Sequence, residues 1–128
     1  MKNKKINNKG FTLIELIVSI TIIAVLTVAG VVSYGGASKK SRDSRRMADL
    51  EKIRIALELY RSGTGSSYPA TTGSLVPNYL QVIPVGPKGE SYTYLRTVGN
   101  NYKYTIDAIV EDPGSSNVPG FIYRVYSP

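Results

Sequence analysis

Glu15 is the only charged residue in the apolar run from Phe11 to Val32, and that isolation limits the chemistry open to it. A carboxylate surrounded by hydrocarbon in mid-helix costs roughly 2.5–3.5 kcal/mol on an insertion scale, and less near a helix end. Such a group is usually paired and functional. Directly ahead of it stand Gly10 and Phe11, behind a polar segment carrying Lys2, Lys4, Lys5 and Lys9. Catalysis by paired carboxylates would need a second acid at a matching spacing, and nothing in the spacing suggests one. The chain has 0 His and 0 Cys, which excludes imidazole bases, thiol nucleophiles and thiolate or imidazole metal sites. It also excludes a disulfide staple. The residues therefore assign no catalytic group, no metal ligand and no cofactor.

The order of basic leader, Gly10-Phe11-Thr12-Leu13-Ile14-Glu15 and apolar helix resembles the class III signal of type IV pilins and type II secretion pseudopilins. The resemblance implies that a prepilin peptidase cuts between Gly10 and Phe11, removing residues 1–10, and methylates the new Phe11 amine. It implies that Glu15 pairs with the Phe11 amine of an adjacent subunit. Leu13, Ile14, Ile17, Val18, Ile22 and Leu26 would then pack between the stalks of a helical filament. The implied partners are copies of the chain itself, prepilin peptidase, a pilus or secretion assembly machinery in the inner membrane, and the bilayer before assembly. The implied location is the bacterial cytoplasmic membrane, N terminus cytoplasmic, and afterwards a cell-surface pilus.

The leading expectation is a structural, major pilin-like subunit of a type IV pilus, serving adhesion, twitching motility or DNA uptake. The alternative is a pseudopilin forming a short periplasmic pseudopilus, and a further alternative is a monomeric membrane-anchored binding module. A conventional secretory signal, cut at small residues such as Gly35-Gly36-Ala37-Ser38, competes for the same stretch.

The elements that must position these residues follow from periodicity. About 20 apolar residues span a bilayer core, so 11–35 reads as a transmembrane and assembly helix. Lipid leaves its backbone no other partner, which outweighs the β-branched side chains that weaken helices in water. Residues 36–128 read as one globular head: an amphipathic helix over 36–62, a loop over 63–90 and a β-meander over 91–128. In the helix Met47, Leu50, Ile53, Leu57 and Tyr60 recur at spacings of three and four, marking one buried stripe. The pairs Asp43/Arg46, Glu51/Arg54, Arg54/Glu58 and Glu58/Arg61 stand at neighbouring helical positions.

Strands are expected over Tyr92–Val98, Tyr102–Val110 and Phe121–Tyr126, the first two joined by Gly99-Asn100-Asn101. In the second, Tyr102, Tyr104, Ile106, Ala108 and Val110 alternate with polar residues. The expected architecture is thus α+β: a long N-terminal helix against a small antiparallel sheet of about three to four strands, the pilin fold. The loop between helix and sheet also resembles that of pilins and major pseudopilins, except that Gly86 stands where those proteins usually carry Asp.

Charge adds one open question. Four of the 16 basic residues precede Phe11, leaving 12 against 9 acidic ones. Lys39, Lys40, Arg42, Arg45 and Arg46 crowd together after the apolar run. They read either as a patch for nucleic acid or lipid head groups, or as a solvated helix face sealed by acids of neighbouring subunits. The interleaved Asp43 and the lack of a nearby stacking aromatic favour the second reading and leave nucleic acid the weaker partner. The loop Glu111–Asn117 could offer oxygen ligands to calcium, but two successive carboxylates seldom point at one ion, and a polar turn is the favoured reading.

Overall fold

In the computed structural model, residues 10–65 and 67–128 are described, with only the backbone at Val32. The leader expected over 1–10, with its four lysines, lies outside the described residues except for Gly10. The chain divides into two compact units at Gly35/Gly36. The single α-helix, α1, runs Leu13–Thr64 and contributes to both.

In the first unit the apolar side chains of α1 are exposed, and the helix is long and apolar enough to cross a bilayer. Three of its hydroxyl residues turn inward on their own backbone. Ser19 Oγ donates to the Glu15 carbonyl at 2.7 Å, Thr21 Oγ1 to Val18 at 2.8 Å and Thr27 Oγ1 to Ile23 at 2.7 Å. Each thereby meets the need for a partner that hydrocarbon cannot supply.

In the second unit α1 packs against a three-stranded antiparallel sheet of order β1-β2-β3, formed by Thr93–Arg96, Tyr104–Ile109 and Ile122–Tyr126. This is the expected α+β architecture, with β1 and β2 each three residues shorter than the alternation suggested and β3 one residue shorter. The core joins Leu50, Ile53, Ala56 and Leu57 of α1 to Tyr104, Ile106 and Ala108 of β2. Tyr68 and Leu75 enter from the connecting loop, Leu75 at the end of a 3-10 turn over Thr72–Leu75. Met47 and Tyr60, at the two ends of the expected stripe, are only partly buried.

The edge strand β3 is covered. Asn117 donates from Nδ2 to the Arg124 carbonyl and accepts the Arg124 N–H on Oδ1, both at 2.7 Å, occupying the groups another strand would use. β3 begins after Phe121, whose φ of 57° places a bulky side chain in the left-handed region and ends regular pairing there.

Candidate functional site

The helix start is built from Thr12 and Glu15. Thr12 N–H donates to Glu15 Oε2 at 2.8 Å, Thr12 Oγ1–H to the same oxygen at 2.8 Å, and Glu15 N–H to Thr12 Oγ1 at 3.3 Å. This is a capping box, which satisfies orphan amides of the first turn reciprocally. Both bonds to the carboxylate fall on Oε2; Oε1 receives no donor among the described residues. The carboxylate is thus anchored by one oxygen and open at the other.

Phe11, Ile14, Glu15, Val18 and Ser19 line one shallow groove, and Thr21, Ile22, Val25 and Leu26 line another further along. Phe11, Ile14, Glu15 and Val18 are therefore brought together, as are Ile22 and Leu26. Leu13 and Ile17 lie outside both groups of lining residues. The six expected packing residues are 44–76 % exposed and Phe11 is 91 % exposed, so this surface has no partner among the described residues. Gly10 is exposed. Sequence reasoning missed Thr12; the Thr-x-x-Glu spacing before an apolar run was the signal that could have found it.

The basic stretch after the apolar run resolves into two sets. Arg42 makes a two-pronged contact with Glu111, Nε to Oε1 at 2.9 Å and Nη2 to Oε2 at 2.7 Å. Arg46, 3 % exposed, donates from Nη1 to Asp43 at 2.6 Å, from Nε to Glu90 at 2.6 Å and from Nη2 to Glu111 at 2.9 Å. Lys88 Nζ reaches Glu111 Oε2 at 2.9 Å. Asp43 is fully buried and also accepts the backbone N–H groups of Glu111 and Asp112 at 2.8–3.0 Å. Lys39, Lys40 and Arg45 remain outward and exposed. Arg42, with Lys88 and Arg46, holds the Glu111 carboxyl well below the usual carboxylate range. Burial would raise Glu90, but its own backbone N–H, Arg46 and the Lys88 N–H outweigh that and lower it.

Two helix pairs expected from spacing do not form. Glu58 accepts the hydroxyls of Tyr68 at 2.8 Å and Tyr104 at 3.3 Å, and Arg61 donates to Tyr68 Oη at 3.1 Å. Tyrosines from the loop and β2 outcompete Arg54 and Arg61 for Glu58. Arg54 instead bonds only Glu51, as expected. At Gly86 the Glu90 side chain fills the space beside the backbone: an added Cβ would lie 2.3 Å from Glu90 Cδ. In the 111–117 loop Glu111 faces three cations, while Asp112 turns back to accept Gly114 N–H at 3.3 Å. The two carboxylates diverge rather than converge on one ion.

Residues 5–31 match the Prokaryotic N-terminal methylation motif. The chain is 29 % identical to type II secretion system core protein G of Pseudomonas aeruginosa, over 84 % of this chain and 89 % of that protein. It is 26 % identical to the core protein G of Pectobacterium carotovorum, over 88 % and 79 % respectively. It is 29 % identical to the type IV major fimbrial protein FimA of Dichelobacter nodosus, over 67 % and 62 %. No solved structure gives a significant match.

An N-terminal methylation signal, a long apolar helix and a small α+β head together define a pilin-like class of protein and fit membrane anchoring. The methylation motif and these similarities support the type IV pilin and type II secretion pseudopilin family, whose members the chain resembles in sequence and in architecture. The similar proteins are mostly secretion core proteins G, which favours the pseudopilin alternative over the leading pilus expectation.

Proposed function

We propose that this chain is a pseudopilin-type filament subunit, held in the cytoplasmic membrane by its N-terminal helix and polymerised after cleavage between Gly10 and Phe11. The observation that carries the reading is the half-satisfied carboxylate: Glu15 Oε1 meets no donor among the described residues and lies in a groove that also holds Phe11. Hydrolysis of the Gly10–Phe11 bond releases the leader's carboxylate and leaves an amine on Phe11, which the peptidase then methylates with a methyl group from a sulfonium donor, releasing the thioether and a proton. Pairing of the methylated amine, in its ammonium form, with Glu15 of a neighbour completes the carboxylate without breaking the capping box. At an effective dielectric of about 20, charges 4 Å apart attract by roughly 4 kcal/mol before desolvation is subtracted. The pair therefore sets register, while Leu13, Ile14, Ile17, Val18, Ile22 and Leu26 supply cohesion by close packing as they leave lipid. A repeated contact of this kind that does not close generates a helical fibre.

The type IV pilus is the second reading, favoured by the likeness to FimA. The mass of the exported protein tests processing: it should begin at Phe11 and carry one added methyl. Electron microscopy of sheared surface material then separates the readings, since short rods support the pseudopilus and long flexible fibres the pilus. A mass that retains residues 1–10 contradicts both.

A further inference from the structure

We propose that Lys39, Lys40 and Arg45 form a cationic collar that binds anionic phospholipid head groups where α1 leaves the bilayer. The proposal rests on the membrane-anchored reading of the N-terminal helix and adds a lipid-selective contact to it.

Three observations point to it. These cations are exposed and hold no acidic partner among the described residues, whereas the neighbouring Arg42 and Arg46 are committed to Asp43, Glu90 and Glu111. The chain's own acids offer them nothing. Asp43, Asp49, Glu51, Glu90, Asp107 and Glu111 each hold a cation of the same chain. Glu58 accepts two tyrosine hydroxyls, and Asp112 caps the 3-10 turn over Pro113–Ser115. A second copy would therefore bring little complementary charge to this surface, contrary to the expectation of a face sealed by neighbouring acids.

The third observation is angular. At about 100° per residue, Lys39, Lys40 and Arg45 point roughly 100°, 140° and 120° apart around the helix axis, within about 9 Å of rise. A linear polyanion such as a nucleic acid lies along one side of a helix and meets one or two of them. A charged surface crossed by the helix meets all three. Helical side chains also lean toward the helix N terminus, which is the end carrying the apolar run, and long cationic stems can carry their charge to that interface. Lys39 and Lys40 follow the 11–35 span by four and five residues and Arg45 by ten, about 6–15 Å of helix rise, so anionic lipids attract the two lysines within a screening length of about 8–10 Å and Arg45 through the reach of its long stem.

The experiment uses the full-length chain in phosphatidylcholine vesicles, with trace spin-labelled phosphatidylglycerol or phosphatidylcholine reporting which lipid lies at the protein. The native chain should select phosphatidylglycerol about fivefold or more, with the preference shrinking as salt is raised. Lys39→Gln/Lys40→Gln/Arg45→Gln should lose most of that selectivity, and Lys103→Gln, on the β1–β2 connection, should keep it. The leader lysines are common to every protein, so the difference between variants reports the collar alone. Unchanged near-ultraviolet tyrosine dichroism establishes that the exposed substitutions leave the head folded. Retained selectivity in the triple variant, or an equal loss in Lys103→Gln, overturns the proposal. So does a triple variant that loses retention of duplex DNA while its lipid selectivity stays unchanged. Flotation with the vesicles after an alkaline wash tests the anchored reading separately: a chain that floats but shows no collar effect removes the collar only.

Discussion

Thr12 and Glu15 grip each other at the start of α1, amide to carboxylate at 2.8 Å in one direction and amide to hydroxyl at 3.3 Å in the other. An acid that would be costly in an apolar helix is thereby half satisfied within its own chain. Thr12→Val removes the cap hydroxyl, which costs about 0.5–2 kcal/mol of local helix stability. Hydrogen exchange of the Glu15 and Leu16 amides in micelles should accelerate, while Thr12→Ser should stay near the native rate. Equal protection in Thr12→Val and the native chain would show that the box contributes nothing.

Arg46 is the cation on which the head's carboxylates converge, joining α1 to the loop before β1 and to the loop after β2. Arg46→Met leaves Asp43 buried without its counter-charge, a loss of about 3–5 kcal/mol. For a domain of this size that lowers the melting midpoint by more than about 10 °C. Arg54→Ala breaks an exposed pair with Glu51 and should cost less than about 1 kcal/mol. Thermal melts followed by near-ultraviolet dichroism compare the two, and similar midpoints would contradict the assigned importance of Arg46.

Both pH limits of the head follow from displaced titrations. Glu111 and Glu90 are lowered from an ordinary 4.5, so the stability they confer is complete above that value and disappears as pH falls through their folded values. Burial pushes Tyr94 from 10.0 up to about 12, and raises Tyr104 and Tyr92 as well. Their contribution is complete below pH 10 and is lost as pH rises toward and through 12. Denaturant midpoints should fall on the acid side below about pH 4.5, and Glu111→Gln should flatten that limb while leaving the alkaline limb unchanged.

Gly86 makes room for the carboxylate that partly replaces an expected one. A Cβ there would lie 2.5 Å from Glu90 Oε1, and that oxygen is pinned by Arg46 Nε at 2.6 Å. Gly86→Ala should therefore cost about 1–3 kcal/mol by forcing Glu90 off Arg46. In a double-mutant cycle with Glu90→Ala the two losses should be strongly non-additive, because the second substitution removes the clash. Additive losses would place the cost of Gly86→Ala elsewhere.

Regular periodicity and local spacing carried most of the fold. Leu50, Ile53 and Leu57 recur at helical spacing and Tyr104, Ile106 and Ala108 alternate, and these are the residues that meet in the core. Spacing failed where a partner came from far along the chain. Glu90 lies 44 positions from Arg46, and Glu111 lies 69 from Arg42, so a stretch that reads as uniformly basic divides into a paired half and a free half. Glu58 shows the same limit: its helix neighbours Arg54 and Arg61 were visible, while the hydroxyl of Tyr104, 46 positions on, was not. At the helix start the full capping signature was present in the sequence.

Filament yield from Glu15→Ala is the decisive measurement of whether the amino end of another subunit completes the open oxygen of Glu15. Surface and periplasmic fractions from cells overproducing the variant should contain no filaments where the native chain gives them, although the variant is still inserted in the membrane and still cut after Gly10. Filaments at the native yield and length would contradict the account.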